Sequence, residues 1–142
     1  MDRYKFRGQR LDNGEWVYGS LVERHHSENM PKYSYFLIVE RDGTQHFVAH
    51  KSVGQFTGLC DRNGKEIFEG DIVSSPHFED AAGRQHKLYH IVEWSSRHHG
   101  WFLLNKSTMD AKDGSIQLFV ADSEHLTVSG TIHDQGERQC ES

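Results

Sequence analysis

Residues 55–73 read Gln55-Phe56-Thr57-Gly58-Leu59-Cys60-Asp61-Arg62-Asn63-Gly64-Lys65-Glu66-Ile67-Phe68-Glu69-Gly70-Asp71-Ile72-Val73, and this stretch predicts two tight turns between short strands. Asn63-Gly64 tolerates the positive φ angles of a type I′ turn, so we expect a hairpin there. Gly70 interrupts the apolar pattern, which predicts a sharp turn into a new strand. The expected turn residues of this signature are Gly58, Asn63, Gly64, Gly70 and Asp71. Asp71 is expected to accept backbone N–H bonds and to hold the turn.

Similar patterns on both sides of this stretch predict further hairpins and loops. The predicted hairpins cover Arg3 to Val22 around Asp12-Asn13-Gly14, Tyr33 to Ala49 around Asp42-Gly43, and Leu88 to Leu104 across Ser95 to Gly100. Polar segments without periodicity predict surface loops at His25 to Pro31 and His77 to Arg84. Ile116 to His125 fits both a helical and a strand period, and we favour one helical turn near Ala121 to His125. A last strand is expected over Leu126 to Ile132.

Several segments together resemble the YopX family of small proteins carried by phages and prophages. The resemblance rests on Thr57 to Val73, on Tyr4 to Gly8 and Gly14 to Leu21, on Val92-Glu93-Trp94, and on Val128 to Asp134. It implies an SH3-like β-barrel core and a phage or prophage origin, and it brings no catalytic residue with it.

The fold expected from the pattern and the resemblance is mainly β, with additional N-terminal β-hairpins and at most one short helix. We expect an N-terminal hairpin region over residues 1–52, an SH3-like barrel over 53–134 and a flexible tail over 135–142, with one continuous domain as the alternative.

Composition and charge limit the class of protein. The longest apolar run, Tyr35 to Val39, is too short for a membrane span, and Met1 to Lys5 is not followed by the apolar region of a signal peptide. We therefore expect the cytoplasm of a bacterial cell and no membrane partner. Cys60 and Cys140 are expected to be free thiols there. A net charge of −5 disfavours duplex nucleic acid as the partner.

The eleven histidines raise the alternative of a metal-dependent enzyme. His86 with His90, and His46 with His50, have spacings that place two imidazoles on one face of a strand. Structural zinc sites usually show short Cys and His spacings, which this sequence lacks, so we predict no metal and no cofactor. The paired histidines at 25–26 and 98–99 are interpreted as solvated loop residues.

No motif of a catalytic site is present, so we predict a binding or accessory module without enzymatic activity. The acidic pairs Glu79-Asp80 and Glu69 with Asp71 lack the signs of a buried general acid, and no Gly-x-Ser-x-Gly or phosphate-binding glycine pattern occurs. Tyr4-Lys5-Phe6-Arg7 and Arg97 with Trp101 suggest a stacking platform for single-stranded nucleic acid as another alternative. Exposed strand edges favour pairing with a second copy or with a host or phage protein.

Overall fold

The computed structural model describes residues 4–25, 34–97, 99–105, 116–117 and 123–134, and in these the chain is mainly β, as predicted. The chain divides into two compact units, Met1–Phe56 and Thr57–Ser142, called here the N-terminal and C-terminal units. The strands are β1 (Phe6–Gln9), β2 (Trp16–His25), β3 (Ser34–Val39), β4 (Gln45–Val48), β5 (Gly54–Cys60), β6 (Glu66–Phe68), β7 (Asp71–Ser74), β8 (Phe78–Glu79), β9 (Gln85–His86), β10 (Tyr89–Ser95), β11 (Gly100–Asn105), β12 (Ile116–Gln117) and β13 (Thr127–Thr131).

The N-terminal unit is an antiparallel sheet in the order β4-β3-β2-β1, with the first half of β5 on the other side of β1. A 3-10 turn, His50–Ser52, connects β4 to β5. The outer edge of β4 is covered by the chain that leaves β1. Leu11 N donates to Phe47 O at 3.0 Å and Ala49 N donates to Gln9 O at 2.9 Å. Few main-chain groups of β4 are therefore open to another strand.

The core of the N-terminal unit contains Val17, Ile38 and Val48, with four partly buried apolar side chains packed against them, those of Phe6, Leu21, Phe36 and Val53. Gly19 of β2 lies against the end of β3. A Cβ on Gly19 would come within 2.2 Å of the Val39 carbonyl oxygen, closer than any side chain can approach. The close approach of these two strands therefore requires glycine.

The C-terminal unit holds a five-stranded antiparallel sheet in the order β12-β11-β10-β7-β13. The second half of β5 lies beside β6, and β8 pairs with β9 in a separate two-stranded sheet. The core of the C-terminal unit includes a cluster of buried side chains, those of Ile67, Val73, Val92, Leu103 and Leu126. The register of β13 against β7 shifts between Val128 and Gly130.

The predicted hairpins correspond to observed strand pairs, and one segment predicted as a loop also forms a hairpin. The segment His77 to Arg84, predicted as a loop, contributes β8 and the turn of a hairpin that returns through β9. The sequence lacks alternation there because both strands are exposed. Ser123 is helical and is followed by a turn, within the helical turn favoured near Ala121 to His125; residues 121–122 lie outside the described part.

The observed sheets are open, so the SH3-like barrel stays a prediction. The predicted loop at His25 to Pro31 lies outside the described residues apart from the backbone of His25, and the predicted tail over 135–142 lies wholly outside them. None of the helical segments in the described part has the length and hydrophobicity needed to cross a bilayer.

Candidate functional site

The Asn63-Gly64 turn is organised by a buried carboxylate that the sequence analysis did not single out. One oxygen of Asp61 accepts the backbone N–H groups of Asn63 at 2.8 Å and Lys65 at 2.9 Å. The other accepts the N–H of Val128, 67 positions further along the chain, at 2.9 Å. The turn itself closes through Asp61 N donating to Lys65 O at 2.7 Å. Asp61 thus joins the hairpin turn to β13.

The environment of Asp61 keeps its carboxyl group ionised. Burial alone raises the pKa of the group, but the N–H bonds from Val128, Lys65 and Asn63 outweigh it and hold the pKa below the usual 3.8. An aspartate at the start of an Asp-Arg-Asn-Gly turn is a recognisable Asx-turn signal in sequence. Its bond to Val128 is not recognisable there, because it depends on the tertiary structure.

Of the predicted turn residues, Asn63, Gly64 and Gly70 lie in backbone turns and Asp71 begins β7, whereas Gly58 lies within β5, so its prediction as a turn residue is wrong. Gly58, Gly64 and Gly70 have φ angles of 85°, 81° and 90°, a region that favours glycine. Asp71 is buried, and its carboxylate accepts the Phe68 N–H at 2.8 Å across the Gly70 turn. These contacts are structural, and they place no reactive group in a cleft.

The C-terminal end of the edge strand β13 is also held by side-chain hydrogen bonds. Thr131 N donates to the Asp134 carboxylate at 2.9 Å, while the Thr131 hydroxyl accepts the Asp134 N–H at 3.3 Å. This reciprocal arrangement is a capping box. Together, Asp61 and Asp134 occupy the N–H groups of Val128 and Thr131, so main-chain donors at both ends of β13 are already paired.

The structure separates the histidines that the sequence spacing had paired. His86 belongs to β9 and is exposed, whereas His90 is buried in β10, so the prediction that they share one strand is wrong. The break at residues 87–88 separates them. His46 lies in β4 with its Nε2 atom 3.3 Å from Glu40, whereas His50 packs on the Phe36 ring in the 3-10 turn.

The other predicted histidine pairs fall partly outside the described part of the chain, which includes neither His26, His98 nor the side chain of His25. His99 lies in the β10–β11 turn with a φ angle of 52°. In the described ranges no three His, Cys, Asp or Glu side chains are grouped closely enough to hold a metal ion. Cys60 is an exposed free thiol, and Cys140 lies outside these ranges.

Burial lowers the pKa of His90 below the usual 6.5. Its Nδ1 atom is buried and has no hydrogen-bond partner among the described residues. A neutral imidazole is therefore the form that fits this part of the C-terminal unit.

The aromatic residues of the predicted nucleic-acid platform are largely packed. Phe6 lies against the N-terminal core, and Arg7 is buried with its guanidinium carbon 4.5 Å from the centre of the Trp16 ring. Lys5 lies over the Phe56 ring at 5.8 Å, which leaves Tyr4 as the exposed aromatic side chain of this segment. The nucleic-acid platform therefore stays an alternative, with Phe6 and Arg7 engaged in packing at this segment.

Trp101, the aromatic residue of the second predicted platform, is partly buried against the C-terminal core. Its ring makes an edge contact with Trp94, at 5.1 Å between ring centroids. Trp94 is the more exposed of the two rings.

An exposed hairpin in the C-terminal unit presents apolar side chains to solvent. This segment, Ser75–Leu88, is called the arm; it begins where Ser75 N donates to Leu88 O at 2.9 Å and contains β8 and β9. Phe78, Leu88 and the adjoining Tyr89 are 44%, 47% and 42% exposed. The two-stranded sheet formed by β8 and β9 includes no third strand among the described residues.

The tip of the arm is held by Asp80. One carboxylate oxygen accepts the N–H groups of Ala82 at 2.9 Å and Arg84 at 3.0 Å, and the other lies 2.7 Å from His86 Nε2. The bond from His86 is the main cause that lowers the pKa of Asp80. The Phe78 and His86 rings stack across the two strands at 5.5 Å. A turn with this many bonds gives the arm a defined shape.

The sequence of this chain matches a known family model over most of its length. The model described as "YopX protein" matches residues 5–138. The chain belongs to the YopX family. The YopX chain is also similar to a solved structure, the crystal structure of protein EF1440 from Enterococcus faecalis, with a TM-score of 0.51 and 20% sequence identity. That match covers 94% of this chain and 96% of the other, and it indicates a shared fold alone. No curated protein matches the YopX chain in sequence.

Proposed function

We propose that this YopX protein is a binding or accessory module without enzymatic activity, and that the arm is the element with which it contacts its partner. The observation that carries the proposal is the exposure of Phe78, Leu88 and Tyr89 on and beside a hairpin whose sheet has no third strand in the described chain. Large exposed apolar side chains and open strand edges are features through which proteins associate.

The other strand edges support the choice of the arm. The carboxylates of Asp61 and Asp134 cap β13, and residues Gln9 to Leu11 cover β4. Such devices prevent an edge from pairing with foreign strands. The arm has neither of these two devices in the described part of the chain, and it exposes large apolar side chains beside its charged residues.

We also propose the origin, the location, the oligomeric state and the type of target that the sequence predicts. The protein is of phage or prophage origin, acts in the bacterial cytoplasm, forms homo-oligomers and acts on a host or phage macromolecule. An SH3-like barrel also belongs to the proposal. That barrel is expected over residues 53–134, and its support is the antiparallel sheet of the C-terminal unit, in the order β12-β11-β10-β7-β13.

A comparison of three proteins by native mass spectrometry tests this proposal. Untagged protein is compared with a variant carrying Phe78→Ser, Leu88→Ser and Tyr89→Ser, and with a control carrying Leu11→Ser, an equally apolar exposed position in the N-terminal unit. Native mass spectrometry, without and after chelator, reports subunit number, retained macromolecules and bound metal.

We expect the wild type and the Leu11 control to retain a macromolecular partner, a second copy or a host or phage component, that the arm variant loses. Equal retention by all three proteins would overturn the arm as the contact element. Stoichiometric metal that chelator removes, together with activity that depends on it, would overturn the non-enzymatic assignment. Salt-sensitive retention of nucleic acid through the arm would identify the partner as a strand of nucleic acid.

A further inference from the structure

We propose that Asn63 is a site of spontaneous deamidation, and that Asp61 controls the rate of this modification by holding the turn in a shape that prevents the reaction. The product is an aspartate or an isoaspartate at position 63, in the turn between β5 and β6. The proposal concerns a part of the chain outside the arm, so it does not depend on the proposed function.

Asn63 and Gly64 supply the groups that react. The Gly64 backbone nitrogen attacks Cγ of Asn63, the N–Cγ bond forms and the Cγ–Nδ2 bond breaks, and the amide nitrogen leaves as ammonia with the proton of the Gly64 nitrogen. Water then opens the succinimide ring at one of its two carbonyl groups, which gives aspartate or isoaspartate. Asparagine is thermolabile, and a following glycine favours the reaction because no side chain hinders the attack.

The structure leaves this pair of residues accessible. Asn63 and Gly64 are both exposed, and no atom lies within 4 Å of the place that a Cβ on Gly64 would take. None of the residues that the structure describes is hydrogen-bonded to the Asn63 carboxamide. The side chain that reacts is therefore open to water and able to rotate.

The backbone around the reacting peptide bond is held by Asp61. One carboxylate oxygen accepts the N–H groups on both sides of Gly64, those of Asn63 at 2.8 Å and Lys65 at 2.9 Å. The Asp61 carbonyl oxygen accepts the Gly64 N–H itself at 3.0 Å. The attacking nitrogen is thus a bonded donor, and turning it toward the Asn63 side chain breaks these bonds. Deamidation therefore requires a local opening of the turn, and its rate follows the population of the open form.

The second Asn-Gly pair of the chain, Asn13-Gly14, is an internal reference. Asn13 is also exposed, and the Gly14 N–H is also bonded to a backbone carbonyl oxygen, at 2.9 Å. In this turn the Asn13 carboxamide oxygen itself accepts the Glu15 N–H at 3.0 Å, whereas the turn at Asn63 depends on a neighbouring carboxylate. A change at Asp61 should therefore affect the rate at Asn63 and leave the rate at Asn13 unchanged.

The modification alters the connection between the turn and β13. Isoaspartate adds a methylene group to the backbone, so the N–H groups of residues 63 and 65 no longer match the single oxygen that accepts both. The other oxygen of Asp61 accepts the Val128 N–H at 2.9 Å. Conversion at position 63 therefore weakens the turn and, through Asp61, the bond to the edge strand.

Peptide mapping by mass spectrometry tests the proposal. Wild type, Asp61→Ala, Asp61→Asn and Thr131→Ala are incubated at neutral pH and physiological temperature, and the peptides that contain residues 13 and 63 are scored for loss of ammonia and gain of water. Fragmentation distinguishes aspartate from isoaspartate. Thr131→Ala is the control for reduced stability of the same unit, because it removes a bond of β13 and leaves the turn bonds in place. Circular dichroism verifies folding.

Wild type should convert slowly at both positions. Asp61→Ala should raise the rate at Asn63 about tenfold relative to Asn13, since a tenfold larger open population corresponds to about 1.4 kcal/mol, the size expected for two lost hydrogen bonds. Asp61→Asn keeps an oxygen acceptor at this position, so it should convert faster than wild type but more slowly than Asp61→Ala. Thr131→Ala should match wild type. In urea that unfolds the chain, Asn13 and Asn63 should convert at one common, faster rate.

Three results would overturn the proposal. The first is an equal rate at Asn63 in wild type and Asp61→Ala, and the second is an equally large increase in Thr131→Ala, which assigns the effect to general instability. The third is a rate at Asn63 in the folded wild type that equals the rate in urea, because the turn then gives no protection. If Asp61→Ala does not fold, Asp61→Asn against wild type provides the same test.

Discussion

Asp61→Ala is the substitution that tests how the C-terminal unit is held together. The change removes an acceptor for three backbone N–H groups, two within the Asn63-Gly64 turn and one on β13. Asn63 and Lys65 are exposed, so water replaces the carboxylate and each lost bond costs about 0.5–1 kcal/mol. The Val128 N–H is partly buried, and leaving it without an acceptor costs about 1–3 kcal/mol. We expect a total loss of about 2–5 kcal/mol.

Urea unfolding followed by tryptophan fluorescence measures this loss. Trp16 reports on the N-terminal unit, and Trp94 and Trp101 report on the C-terminal unit. Asp42→Ala is the matched control, because Asp42 accepts a single exposed N–H, that of Thr44, in the turn of another hairpin. The free energy of unfolding should fall much further for Asp61→Ala than for the control.

The acid dependence gives a second readout. Because the folded pKa of Asp61 lies below 3.8, its ionised form stabilises the fold fully above pH 3.8, and this stability is lost as the pH falls through the folded pKa. Asp61→Asn should unfold with less dependence on pH in that range. Equal stability of the Asp61→Ala and Asp42→Ala variants, with an unchanged acid profile, would refute the account of Asp61 as the bond between turn and edge strand.

Three further predictions concern other positions. The contribution of neutral His90 to stability should be full above pH 6.5 and be lost as the pH drops through the lower folded pKa of His90. Urea midpoints measured between pH 8 and pH 5 should therefore depend less on pH in the His90→Leu variant than in the wild type. Gly19→Ala should lower the free energy of unfolding by about 3 kcal/mol or more, because the new Cβ meets the Val39 carbonyl oxygen. Gly14→Ala, in open space at a φ of 72°, should lower it by only about 1–2 kcal/mol. Equal urea midpoints for the two variants would contradict this prediction. Thr131→Ala should cost about 1 kcal/mol through loss of the capping box, and an unchanged thermal midpoint would argue against that role.

The family and the mainly β class could be predicted from the sequence because their signals are local. Asn63-Gly64 and Asp42-Gly43 dictate backbone angles within a few residues, and runs of β-branched and aromatic residues identify strands such as β3. The YopX resemblance was predicted on the same local segments and is confirmed over residues 5–138.

The candidate site could not be predicted, because its features depend on contacts between distant parts of the chain. Asp61 reaches Val128 across 67 positions, and this bond exists only after β13 is in place. His86 and His90 have the spacing of neighbours on a strand, yet the break between β9 and β10 exposes one and buries the other. Short exposed strands such as β8 also lack the alternation that half-buried strands show, so the arm was predicted as a loop.

The amino-acid sequence by itself determined where this chain turns and which segments extend, since those choices depend on the steric freedom of glycine and on the period of apolar residues. The tertiary structure alone decided which polar and apolar side chains are covered. Phe6 and Arg7 are packed while Phe78 and Leu88 are exposed, although all four belong to similar polar and apolar runs. Burial is a property of the surface that packs against a residue, and that surface comes from elsewhere in the chain.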